Sequence, residues 1–261
     1  MLDTIQGNLY DHPKYYDLVF GSDWKAEMDF LEDVFERHTD LVVERLFEPA
    51  CGTGRLLYRF AQAGYQAAGN DLNPAAVEYC NERLAKHGLP ETAVVGDMCD
   101  YRVAKKVDAS FNTINSFRHL ATGQQAHDHL SCVARSLKKG GLYVLGLHLT
   151  PARGQPASNE ESWAARRGNL SVLSRMWSIK VNRAARKETV GMTFDVYTPS
   201  RTFRLQNQFD FRTYTAEQMD DLIASVPSLQ CVATYDFAYD VDCPVQINRS
   251  TEDVVYVLQK Q

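Results

Sequence analysis

Leu46–Asp71 reads LFEPACGTGRLLYRFAQAGYQAAGND, and the fold turns on it. Leu41, Val42, Val43, Leu46 and Phe47 are the apolar body of a strand. Glu48-Pro49-Ala50-Cys51-Gly52-Thr53-Gly54 is a turn of mostly small residues. Small side chains let a backbone pass close to a ligand, and glycine alone tolerates the left-handed conformations such turns need. Leu56, Leu57, Phe60 and Ala61 then fall on one side at helical spacing, with Arg55, Arg59 and Gln62 polar. Gly64 stops that helix, and Gln66–Gly69 leads to Asn70-Asp71. Strand, glycine turn, helix, strand and acid make half of a nucleotide-binding α/β unit. A ligand belongs over the strand ends, and the acid reaches ribose hydroxyls.

Which ligand the turn holds is a matter of spacing. A dinucleotide fingerprint needs a third small residue, and Leu57 stands in that slot, against the close helix–strand approach it serves. No Gly-Lys-Ser/Thr follows, which excludes a P-loop. The stretch resembles motif I of the class I S-adenosylmethionine (SAM) methyltransferases, E/D-x-G-x-G-x-G. Glu48, Gly52 and Gly54 match it, and Ala50 replaces the first glycine. The resemblance runs strongly from about residue 44 to 149. It includes Gly96-Asp97-Met98 after a third strand, His119-Leu120 after the fourth, and Leu137-Lys138-Lys139-Gly140-Gly141 before the fifth. It implies a cofactor site made of Tyr15, Glu48, Ala50, Cys51, Gly52, Gly54, Arg55, Asp71, Leu72, Asp97, Met98 and Asn115. In that site Glu48, Gly52 and Gly54 flank the methionine moiety, Asp71 meets the ribose, and Asp97 with Met98 meets the adenine. Tyr16, Asn115 and His119 are the catalytic candidates it implies. Arg118 and His148 join them on the acceptor side.

Composition narrows the class. The 261 residues are 44% hydrophobic and 23% charged, ordinary for a globular protein with a substantial core. The net charge of −5 gives no global attraction to nucleic acid or to an anionic membrane. Met1–Thr4 lacks the basic-then-apolar plan of a leader, and Leu142–Leu149 is strand-sized, short of the ~20 residues of a membrane span. Cys51, Cys80, Cys99, Cys132, Cys231 and Cys243 are scattered, so reduced thiols in a cytoplasm are expected, with no disulfide frame and no zinc site. His127 and His129 are two apart on a helix and face different ways, so no metal is expected there.

The flanks add four expectations. Residues 1–40 read as an N-terminal helical cap, with Asp23 capping a helix whose apolar face holds Phe30, Leu31, Val34 and Phe35. In the family resembled, a Tyr-Asp-x-x-Phe/Tyr segment and a helix close over the cofactor, and Tyr15, Tyr16 and Phe20 follow that pattern loosely. Residues 41–150 are the core, with Lys138–Gly141 ending a helix before the strand Leu142–Leu145. Residues 151–212 begin with the loop-like Pro151–Pro156 and read as a β-rich insertion with a long hairpin at Thr189–Phe211. This segment holds eleven Lys/Arg against five Asp/Glu, so it carries +6 on a body of −11. Arg204 and Arg212 are its candidates for meeting an acidic acceptor. Residues 213–261 complete the core sheet with an antiparallel strand pair.

The expected fold is α/β, a doubly wound, mostly parallel seven-stranded sheet of the Rossmann-like methyltransferase type, with the β-rich insertion as acceptor pocket or lid. The expected activity is transfer of methyl from SAM to a nitrogen or oxygen of a small-molecule acceptor, with an acidic acceptor among the cases, and with no nucleic acid or membrane partner. Oligomeric state stays open. A non-catalytic SAM-binding or scaffolding protein and an NAD-dependent enzyme remain as alternatives.

Overall fold

The computed structural model describes residues 3–22, 24–152 and 160–261. The expected cap Asp23 and the loop residues 153–156 lie outside them. In chain order the elements are β1 (Asp3–Gln6), α1 (Pro13–Phe20), α2 (Lys25–His38), β2 (Arg45–Pro49), α3 (Arg55–Gln62), β3 (Gln66–Asp71) and α4 (Pro74–Lys86). Then follow β4 (Ala93–Val95), β5 (Val107–Asn112), α5 (Gly123–Ser136), β6 (Leu137–His148), β7 (Glu161–Arg167) and β8 (Leu170–Asn182). The chain ends with β9 (Lys187–Tyr197), β10 (Thr202–Arg212), α6 (Ala216–Ala224), β11 (Leu229–Tyr235) and β12 (Asp253–Lys260).

The core sheet runs β11-β12-β6-β5-β2-β3-β4. Its strands from β6 to β4 are parallel, and β12 is antiparallel to both neighbours. Leu142–Leu145 in β6 are all buried, which a run without alternation requires. On one face Phe30, Leu31 and Val34 of α2 pack with Leu56, Leu57 and Phe60 of α3 and Val77 of α4. On the other, Leu130 and Val133 of α5 pack with Met219 and Ile223 of α6. The chain winds from β2 outward to β4, then crosses back to β5 on the other side of β2. The crevice at the C-terminal ends of β2 and β5 is therefore the switch point.

The insertion forms a second sheet in the order β1-β10-β9-β8-β7. The expected hairpin is β9–β10, paired from Lys187–Arg212 to Tyr197–Thr202. One difference from expectation is β1. The N-terminal forty residues are not helical throughout, because Asp3–Gln6 add a parallel strand to β10. Four residues are too few to show a period. The other difference is the end of α5. The helix stops at Ser136, and Lys138–Gly141 belong to β6. Gly140 takes φ +79 there, and Lys138 Nζ reaches the buried Asp108 carboxylate at 2.5 Å. Asp108 also accepts the N–H groups of Glu44 and Arg45 at 3.0 and 2.8 Å. The basic pair thus fastens a strand rather than a helix end.

Two packing details carry consequences. Gly69 on β3 faces Leu57 of α3. A Cβ there would lie 2.6 Å from the Glu48 carbonyl oxygen and 2.8 Å from a Leu57 methyl. The close helix–strand approach therefore exists, with its glycine on the neighbouring strand. His129 of α5 is fully buried. Its Nδ1–H donates to the Met98 carbonyl at 2.9 Å, and Nε2 accepts the Tyr143 hydroxyl at 2.7 Å. Burial lowers its pKa to about 4.

Gly69→Ala is expected to cost about 1–3 kcal/mol by overpacking, measured as a lower urea midpoint at unchanged slope. A neutral midpoint would mean that α3 moves freely. The histidine sets a pH dependence as well. Unfolded, its imidazole takes a proton near 6.5; folded, it refuses one until about 4. Stability is therefore fully present above 6.5 and falls as pH drops toward 4, by about 3 kcal/mol for this group. Urea midpoints measured across that window should show a shallower loss in His129→Gln than in the wild type.

Candidate active site

Three left-handed residues shape the turn after β2: Ala50 at φ +54, Gly52 at +53 and Gly54 at +70. The alanine pays a steric penalty that a glycine would not. Gly54 backs directly onto the Cys80 sulfur of α4, whereas a side chain at Gly52 would meet nothing within 4 Å. Space therefore opens over Gly52. The Cys51 N–H donates to the Asn70 carbonyl at 2.9 Å, tying the turn to β3. Glu48 serves the helix: its Oε2 accepts the Leu57 N–H at 3.1 Å. Burial raises its pKa well above the ordinary carboxyl value.

Asp71 ends β3 beside that open space. Its Oδ2 accepts the Gly52 N–H at 2.9 Å, and its Oδ1 accepts the Asn73 N–H at 2.8 Å. Burial raises its pKa, and those two N–H groups oppose the rise. Each oxygen keeps a lone pair for a further donor. Next to it, Leu72 is 67% exposed, a large apolar side chain left to cover a ring. Asp97 Oδ1 takes the Cys99 N–H at 2.8 Å, and Met98 is buried.

Beneath the turn lies a row that sequence reasoning missed. Register places Asn112, Pro49 and Asn70 side by side on β5, β2 and β3. Both amides are buried. Neither side-chain polar atom of Asn70 has a partner, nor does Oδ1 of Asn112. Buried amides are rarely left so, and a polar ligand would answer them. The two vicinal lone pairs of Asp71, the open face of Gly52, exposed Leu72 and this row fit the nucleoside and methionine parts of SAM.

The N-terminal segment closes over the turn. Asp17 of α1 is 2% exposed. It accepts the Thr53 and Tyr79 hydroxyls at 3.3 and 3.0 Å and pairs with Arg83. Asn73 Nδ2 donates to Asp11 at 2.7 Å. Tyr10 and Tyr16 pack at 5.3 Å between ring centroids, and both feel the Asp71 charge. Burial raises both phenols, Tyr16 to about 12. The Tyr10 hydroxyl and Nε2 of His119 are hydrogen-bonded at 3.1 Å. Phe209 and Phe211 of β10 stand 5.5 and 4.8 Å from the His119 ring. Burial first, and Arg118 second, lower the pKa of His119 to about 4, so the imidazole is uncharged at neutral pH.

The other expected residues divide. Tyr16 and His119 join this chamber. Tyr15 turns to the insertion side, against His12 and Phe203. Arg55 pairs with Glu27 at 2.7 Å. Asn115, at φ +58, accepts the His148 N–H at 2.9 Å and so holds the exits of β5 and β6 together. His148 Nδ1 lies 2.6 Å from Asp253. Arg118 is buried on Glu188 at 2.5 Å, and Arg204 grips Asp195 at 2.5 and 2.7 Å. Among the described residues no cluster has the makings of a metal site. Tyr10 and Asp17 join the expected set. The signal for Asp17 was an acid inside the apolar run Tyr15–Phe20.

Comparison with known proteins bears on the domain and the fold. Residues 47–141 match the family described as a methyltransferase domain. The chain is 29% identical over 138 residues to a dTDP-3-amino-3,4,6-trideoxy-alpha-D-glucopyranose N,N-dimethyltransferase of Streptomyces venezuelae, covering 52% of this chain and 56% of that one. It is 34% identical over 67 residues to a tRNA (guanine(10)-N2)-dimethyltransferase of Methanothermobacter thermautotrophicus, 25% of this chain and 20% of that one. The chain thus spans little more than half of the first relative and a fifth of the second. Among solved structures, an S-adenosylmethionine-dependent methyltransferase from Clostridium acetobutylicum superposes with TM-score 0.76 at 17% identity, over 97% of this chain and 99% of that one. A SAM-bound amino pentose methyltransferase from Micromonospora echinaspora gives 0.73 at 18% identity, over 98% of both. The turn at Gly52 therefore lies in a stretch that matches a methyltransferase domain, and the chain has the fold of S-adenosylmethionine-dependent methyltransferases.

Proposed function

We propose that the protein moves a methyl group from SAM to an amine nitrogen of a small-molecule acceptor, with an amino sugar as the first class to try. The observation that carries this reading is the uncharged His119 held by the Tyr10 hydroxyl in an aromatic chamber beside Asp71. Bound over Gly52 and Asp71, SAM supplies an electrophilic methyl on a positively charged sulfur. The chain's part is binding, alignment and exclusion of water. Asp71 takes the ribose hydroxyls on its free lone pairs. Tyr10 and Tyr16 stand near Asp71, and aromatic rings attract a cation such as the sulfonium.

Nitrogen is favoured over oxygen by the titration of the chamber. A hydroxyl acceptor wants a base matched to the working pH. His119 resists protonation until pH drops to about 4, so it is a poor proton acceptor. A neutral amine needs no such base. The Tyr10 phenol stays protonated and shares a hydrogen bond with Nε2 of His119, which holds the two side chains together. The Tyr10 oxygen keeps lone pairs for an N–H of the amine, which aims the nitrogen's own lone pair away from it. The names of the Streptomyces venezuelae and Micromonospora echinaspora relatives, both acting on amino sugars, support the same class.

Asp71→Ala should weaken SAM binding by about 2–3 kcal/mol, roughly a hundredfold, in calorimetric titration, with a retained circular dichroism spectrum. Unchanged affinity would remove the ribose assignment. In the pH profile of kcat, His119 should contribute no limb near 6.5. KM for the amine should fall as pH rises and the acceptor loses its proton. A kcat limb at 6–7 that disappears in His119→Gln would show instead that the imidazole titrates as a base.

A further inference from the structure

Two arginines converge on Tyr214, just after β10, and a third stands beside them. The guanidinium carbons of Arg186 and Arg212 lie 5.0 and 5.8 Å from its ring centroid. Arg118 lies one ring away, 4.6 Å over Phe211, and donates from Nε to the Arg212 carbonyl at 3.3 Å. Arg118 pairs with the Glu188 carboxylate. Arg186 and Arg212 have no ion-pair partner among the described residues. Each is instead held by a backbone carbonyl: Arg186 Nε by Thr213 at 3.3 Å, and Arg212 Nη1 by Ala121 at 3.0 Å. The two repel each other, and after burial Arg212 is the next cause lowering the pKa of Arg186.

Five further observations point the same way. Arg212 Nη2 sits where a Cβ on Gly123 would be 3.5 Å away, against the first turn of α5. A cation at the positive end of a helix is placed against the dipole, and an anion between them reverses the sign. The Thr122 cap takes the Gln125 N–H and leaves those of Gly123 and Gln124. Tyr214 is 1% exposed, and its buried hydroxyl has no partner of good hydrogen-bond geometry. Arg212 Nε is likewise buried and unpartnered. Arg186 itself holds φ +52, a left-handed strain at a non-glycine residue that fixes where its side chain starts.

We propose that Arg186, Arg212, the Tyr214 hydroxyl and the first turn of α5 form a binding site for a phosphate or diphosphate group carried by the methyl acceptor. The planar fork of arginine suits two oxygens of such a group. The site adjoins the chamber through Phe211, because the His119 ring and the Arg118 guanidinium contact that one ring at 4.8 and 4.6 Å. An acceptor anchored here by its phosphate would present its other end to the Tyr10–His119 chamber. Only the identity of the anion's carrier rests on the methyl-transfer reading; the anion site stands without it.

The test is calorimetric titration of the full chain with inorganic pyrophosphate, at low and at 0.3 M salt, without acceptor. Saturable binding is expected, weakened at least tenfold in Arg212→Gln and in Arg186→Gly. The glycine variant should unfold at a temperature no lower than the wild type, because it relieves the left-handed strain. Arg204→Gln, whose guanidinium is already held by Asp195, should bind as the wild type does. Absence of saturable binding, or equal binding in all four proteins, would overturn the site. Pyrophosphate should also leave SAM affinity unchanged, whereas mutual exclusion would place the anion in the cofactor site and overturn the proposal. Failure of SAM to bind while pyrophosphate binds would sink the methyl-transfer reading and leave the anion site intact.

Discussion

The hydrogen bond from the Gly52 N–H to the Asp71 carboxylate joins the two halves of the cofactor crevice. It fixes the turn after β2 to the acid after β3, across neighbouring parallel strands. The bond requires the backbone at Gly52 to face sideways, which the left-handed conformations at Ala50, Gly52 and Gly54 provide. Those conformations require α3 to start close to β3. That closeness requires Gly69, because Leu57 occupies the space a side chain there would need. The fingerprint glycine missing at Leu57 is thus replaced in space by a glycine on the next strand. The same short distance is reached by a different residue, and motif spacing alone does not reveal it.

A second dependence runs through the N-terminal segment, which is wedged between the two sheets. Leu9, Leu18 and Val19 pack on Val172, Phe194, Val196 and Leu205 of the insertion. The opposite side carries Asp17 into contact with Thr53, Tyr79 and Arg83. A buried carboxylate with one partner removed costs several kcal/mol, so such a group holds its place only while all its partners are present. Asp17 is therefore a sensor of whether the turn, α4 and the insertion are assembled together. The aromatic chamber exists because that wedge is in place: Tyr10 comes from the N-terminal segment, His119 from the core, and Phe209 from the insertion.

Much of this was legible in the sequence because its signals are local. Glycines at 52 and 54, the helical stripe of Leu56, Leu57 and Phe60, and the acid at 71 lie within one short stretch, and the structure has each in its expected element. Where the reading went astray, the deciding partner was distant in sequence. Lys138 looked like a helix-ending charge because Asp108, which places it on a strand, is thirty residues earlier. The ion pair that holds Arg118 was equally out of reach, because Glu188 is seventy residues later. Tyr15 and Tyr16 are adjacent, and only the position of Phe203 decides which of them turns from the crevice. Asn70 and Asn112 sit in strands whose burial pattern would suit apolar residues, and without the register nothing marks them as neighbours.

Charge shows the same difference between sum and placement. The insertion's excess of basic residues, taken as an average, suggests a diffuse positive face. Pairing removes much of it: Glu188 takes Arg118, Asp195 takes Arg204, and Asp210 takes Lys187. Arg201 reaches out to Asp3 on β1, and Arg167 leans toward Asp17 at 4.0 Å. Two of the cations left without carboxylates, Arg186 and Arg212, stand together over Tyr214. Like charges brought this close raise the energy of the free protein, and folding tolerates that only because backbone carbonyls and an aromatic face hold each guanidinium. The placement favours any ligand that brings negative charge to that corner. A surplus spread along sixty residues of sequence has become, in the fold, a local demand for an anion beside the reacting chamber.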